Sequence, residues 1–65
     1  MAKLYKWRIY QIRKKGVFLG LVEAPDDRDE AEREGRMPAP IMAAIERFDV
    51  TDPEQQKRLS AVRVE

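Results

Sequence analysis

Six carboxylates crowd into nine residues, Asp26, Asp27, Asp29, Glu30, Glu32 and Glu34, and acid–base or metal chemistry would have to start there. A general acid needs one carboxyl desolvated so that its pKa rises. The stretch Asp26–Arg36 carries almost nothing apolar to desolvate it with. Calcium loops of the EF-hand type need a central glycine and a closing glutamate at a fixed offset, and the run has neither. The other chemical parts are missing too. The chain has no histidine and no cysteine, which removes the usual base near neutral pH and the usual thiol nucleophile. Ser60 is the only serine and Thr51 the only threonine; neither has an evident base beside it. Gly16, Gly20 and Gly35 stand too far apart to cradle a phosphate. The expectation is a protein that is not an enzyme, with no catalytic residue, no metal site and no cofactor.

Binding is the chemistry that remains. Residues 6–20, KWRIYQIRKKGVFLG, interleave cations with aromatic and aliphatic side chains. On a strand, alternate residues share a face. Arg8, Tyr10 and Ile12 therefore form one side, with Phe18 and Val22 expected across from them and Lys14 and Lys15 in the turn. These seven residues are the candidate interaction face. Exposed aromatics on a sheet can stack single-stranded bases while cations hold the backbone. The aromatic signature of RRM-type sheets is absent, however. The net charge is only +1 and the acidic run would repel phosphate. The same side chains suit a protein partner or a second copy, because an open apolar patch marks an interaction site. A protein partner or homo-oligomer is the first expectation; RNA or single-stranded DNA is the alternative.

The elements that position these residues follow from local pattern. Residues 4–13 and 17–24 are rich in β-branched and aromatic side chains and read as two strands. Lys14-Lys15-Gly16 between them predicts a three-residue hairpin loop with a bulge at the glycine. In that register Trp7 faces Glu23, Ile9 faces Leu21 and Gln11 faces Leu19, while Arg8 faces Val22, Tyr10 faces Gly20 and Ile12 faces Phe18. Residues 26–39 predict a mobile acidic loop with transient helix that Gly35 can end. Met37, Ile41, Ala44, Ile45 and Phe48 recur at helical spacing, and Pro40 suits the first helical position. Thr51 or Asp52 can cap a further short turn opened by Pro53. Leu59–Val64 reads as the last strand. The expected fold is α+β, a three-stranded antiparallel sheet in order 2-1-3 with one main helix on one face (ββαβ), in a single small domain over 1–65. The helix should cover Trp7, Ile9, Val17, Leu19 and Leu21.

A chain of 65 residues buries only about 60% of the surface it exposes when unfolded, so packing must be good. No disulfide can help, and cysteine-free composition fits a reducing cytoplasm. No apolar run reaches the roughly 20 residues that span a membrane, and charge interrupts any signal-like segment at the N-terminus. A cytoplasmic protein with no membrane partner is expected. Charge is unevenly spread: +5 over residues 1–25, −4 over 26–34 and zero over 35–65. KWRIYQIRKKGVFLGLVEAPD near the start and AAIERFDVTDPEQQKRLSAVR near the end together resemble a group of short bacterial proteins. These share a basic Trp-containing strand, a Lys-Gly turn, a Leu-Gly-x-Val-Glu-Ala strand, an Ala-rich helix and an Arg-Leu-x-Ala-x-Arg tail. The resemblance covers most of the chain outside residues 26–40, which look like an insertion. It implies the same strand–strand–helix–strand fold and, since the group has no assigned activity, no function.

Overall fold

Strand β1 (Tyr5–Ile12) forms the middle of the sheet, and its sequence shows why. Both of its alternating side-chain sets contain apolar residues, so neither face is left purely to water. A computed structural model describes residues 3–64. In it β1 is followed by β2 (Gly16–Ala24), helices α1 (Arg28–Glu34), α2 (Ala39–Arg47) and α3 (Pro53–Lys57), and β3 (Leu59–Val64). The sheet has order β2-β1-β3, and both neighbours run antiparallel to β1. The α+β class and strand order are those expected from sequence. The single main helix is corrected to three helices.

The hairpin register differs from the expected one. Its loop is Arg13-Lys14-Lys15, closed by an Ile12–Gly16 pair. Gly16 begins β2 and is not among the residues with positive φ. Trp7 pairs with Val22, Arg8 with Leu21 and Ile9 with Gly20; then the register shifts, and Tyr10 pairs with Phe18. Leu19 is the extra residue of a β-bulge. The bulge puts two consecutive residues, Leu19 and Gly20, on the side of Ile9.

That side is the core. Trp7, Ile9, Val22, Ala24 and Ala44 are buried together, with Leu19, Ala39, Ala43, Phe48, Leu59 and Ala61 packed around them. The Trp7 indole N–H donates to the Ala24 carbonyl at 2.9 Å, so its polar atom is satisfied where no water reaches. Gly20 is where the helical layer comes closest. A Cβ there would lie 2.8 Å from Phe48 Cζ, so only glycine lets the ring at the end of α2 rest on the strand.

The helices are held by local chemistry. Ala31 of α1 is buried, and Gly35 ends α1 in the left-handed conformation (φ 68°). Arg36 N–H then donates to Ala31 O at 2.9 Å, a left-handed cap that satisfies last-turn carbonyls. Asp27 stands at the α1 N-cap position but makes no side-chain cap there. It instead accepts Ala39 N–H at 2.8 Å and the Arg36 guanidinium at 2.8 Å, tying the start of α2 to the start of α1. Pro40 occupies the second position of α2, not the first, and is fully buried. Asp52, rather than Thr51, caps α3, accepting Glu54 N–H at 3.0 Å.

Candidate functional site

Among the described residues no helix lies on the face of the sheet opposite the core. Four rows of residues run across it in the strand order β2-β1-β3, and the pairing fixes them. The first is Glu23–Lys6–Val64 and the second Leu21–Arg8–Val62. The third is Phe18–Tyr10–Ser60, and the fourth brings Gly16 beside Ile12. Ile12 N–H donates to Arg58 O at 2.8 Å, which closes the fourth row with Arg58.

Several large apolar side chains on this face are open to solvent. Phe18 is 54% exposed, Leu21 and Val62 49% and Ile12 44%. Tyr10 is half-buried because the Phe18 ring lies against it, with centroids 5.6 Å apart and planes tilted by 57°. A tilted pair at this separation is the favoured aromatic geometry. Arg8, Lys14 and Lys15 are exposed. Of the seven residues proposed from sequence, Arg8, Tyr10, Ile12 and Phe18 share this face, and Lys14 and Lys15 lie in the turn at its end.

Val22 does not belong to it. It is buried against Trp7 and Ile9 in the core. Leu21 takes its place, although the sequence assigned Leu21 to the covered side; Val17, also assigned there, is 44% exposed beyond the core. One step in register exchanges the two faces of a strand, and the pairing of Trp7 with Val22 is one step away from the expected pairing with Glu23. Past the bulge the register has moved by a further residue, so Phe18 returns to the side of Tyr10. The expected laying of Tyr10 on Gly20 is replaced by Phe48 on Gly20, from the opposite face. Val62, Val64 and Leu21 are the members that sequence reasoning missed. The alternation of β3 against the middle strand was the signal available for the two valines.

The charged side chains beside β1 make a separate, internally satisfied cluster. Asp26 accepts from Arg28 at 3.1 Å and from Arg63 at 3.2 Å. The Arg63 guanidinium stacks 4.7 Å from the Tyr5 ring, and that of Arg28 lies 5.0 Å from the Trp7 ring. The Arg28 hydrogen bond holds the Asp26 carboxyl below its ordinary value of 3.8. Hydrogen bonds from Arg36 and from the Ala39 amide do the same for Asp27. A lowered pKa keeps a carboxylate charged, the reverse of what a general acid requires. Among the described residues no three His, Cys, Asp or Glu side chains converge as a metal site, and no helix is long and apolar enough to cross a membrane.

Comparison of the chain with protein-family models, curated proteins and solved structures yields no match. Any functional reading therefore rests on the geometry of this molecule.

Proposed function

We propose that the protein is a small non-enzymatic interaction module whose binding surface is the helix-free face of its sheet, and that its partner is a protein. One observation carries this reading. Phe18, Leu21, Ile12 and Val62 share one face with the Tyr10 ring by register and are about half exposed. Such a patch, with Arg8 at its centre and Lys6, Lys14, Lys15 and Glu23 toward its ends, joins apolar surface to charge as protein contacts do, arginine being enriched in them.

A second reading, binding of RNA or single-stranded DNA, is favoured by the Tyr10–Phe18 ring pair beside Arg8. Glu23 on the same face and the acidic residues of α1 weigh against it, since both repel phosphate. A photo-reactive phenylalanine analogue at position 18, with Glu46 on α2 as the control position, tests both in cells. Protein adducts should form from position 18 and not from position 46. Equal yields from the two positions would overturn the reading. Nuclease-sensitive adducts would favour the nucleic-acid alternative.

A further inference from the structure

The open face carries a self-complementary pattern, and we infer that its occupant is a second copy of this chain, packed sheet on sheet about a two-fold axis that crosses the strands between Arg8 and Tyr10. This rests on the open face being the interaction surface. The argument uses only the row order. A two-fold axis lying between two facing sheets, perpendicular to their strands, lays the second row of one copy over the third row of the other, and the first row over the fourth. Each strand then faces its own counterpart.

Of the six superposed pairs three are complementary; the other three set Val62 on Ser60 and lay the aliphatic stems of Lys6 and Arg58 on Ile12 and Val64. Arg8 of one copy meets the Tyr10–Phe18 ring pair of the other, where an arginine gains from the ring face. Leu21 meets Phe18, so two of the most exposed apolar side chains cover each other. Glu23 meets Gly16, the one residue in the fourth row with no side chain, next to the Lys14–Lys15 turn. Symmetry makes every one of these contacts twice, as an isologous interface requires. Moving the axis by half a row, to pass through Arg8, sets Arg8 on Arg8 and leaves Phe18 facing Glu23 and Tyr10 facing Lys6. Moving it half a row the other way, through Tyr10, sets Arg8 on Ile12 and Leu21 on Gly16, so only the first arrangement pairs Arg8 with the rings and Leu21 with Phe18.

Facing sheets cross at about 30°, which displaces the outer rows by a few ångströms. A lysine side chain spans that distance. An interface of standard size takes about 800 Å² from each partner, roughly one sixth of the 5075 Å² that this chain exposes.

Sedimentation equilibrium of the wild-type chain and of two charge-reversed chains tests the arrangement. One variant carries Glu23→Lys; the other carries Lys14→Glu with Lys15→Glu. All three positions are exposed, and circular dichroism checks that each variant folds. The wild type should dimerise, and each variant alone should dimerise at least about tenfold more weakly, because like charges then meet twice. An equimolar mixture of the two variants should recover the wild-type affinity, since one Glu23–lysine contact is then as in the wild type and the other is restored with its signs exchanged. A wild-type chain that stays monomeric at high concentration overturns the second copy; adducts from position 18 to other molecules would then leave the open-face reading standing. Dimers that both variants form as well as the wild type, or a mixture that recovers nothing, overturn the axis. A dimer unaffected by Phe18→Ser with Leu21→Ser places the contact elsewhere and overturns both readings.

Discussion

The two faces of one sheet solve different problems with similar residues. On the covered face Trp7 and Ile9 pack with Val22 and with the small residues Ala24, Ala44, Ala61 and Gly20. Small residues let α2 come down onto β2 and let a single indole and the Phe48 ring fill what remains. On the open face the large residues sit side by side with nothing above them, and their neighbours are cations. The difference teaches that apolar content alone does not locate a core. In this chain the core is where small residues let helix and sheet close over Trp7 and Ile9, while Phe18, Leu21, Ile12 and Val62 lie outside it.

The comparison breaks most visibly at Trp7. Trp7→Ala removes a fully buried ring and its hydrogen bond to Ala24 O, and should cost about 3–5 kcal/mol, enough to unfold most of a domain this small. Phe18→Ala on the open face should cost less than about 1 kcal/mol while abolishing dimers. Urea unfolding of the two variants side by side is the measurement. Equal losses would erase the distinction between the faces.

Gly20→Ala probes the closest approach of the layers. Its added Cβ would meet Phe48 at 2.8 Å on a strand residue with φ 155°. A loss of about 1–3 kcal/mol is expected. Phe48→Leu should recover part of it in a double-mutant cycle; strictly additive losses would show that the ring and the glycine do not constrain each other.

The smallest effect is one of pH. The folded pKa of Asp27 lies below 3.8 because Arg36 and the Ala39 amide bond to its carboxylate. Its contribution to stability is therefore complete above the unfolded value and is lost as pH falls through the folded one. Asp27→Asn should lower stability at neutral pH and flatten the fall in unfolding midpoint below about pH 4. Phe18→Ala should leave that acid limb unchanged. An Asp27→Asn chain with the full acid limb would assign it to other carboxylates, Asp26 first.

Much of the fold was legible residue by residue. The β-rich composition of residues 5–12 and 16–24, the Pro-led starts of α2 and α3, the glycine that stops α1 and the closing strand Leu59–Val64 are all local signals, and local signals suffice where a backbone conformation depends on a few neighbours. The acidic stretch was harder. Its helix depends on Ala31 finding a buried place and on Asp27 reaching twelve residues forward to Ala39, neither of which is a property of the segment alone. The candidate face was legible for Arg8, Tyr10, Ile12 and Phe18. It failed at Val22 and Leu21, because faces in a sheet depend on register modulo two, and a bulge at Leu19 has no dedicated residue to announce it.

By itself the sequence determined which segments extend, that a helix starts near Pro38 and Pro40, and that the chain holds no histidine or cysteine. These follow from side-chain type and short-range spacing. Which of two adjacent residues on β2 meets solvent was decided only in three dimensions. The Phe48 ring needs a bare backbone beneath it, Gly20 offers one, and seating that ring against Ile9's side of the sheet turns Val22 inward and Leu21 out.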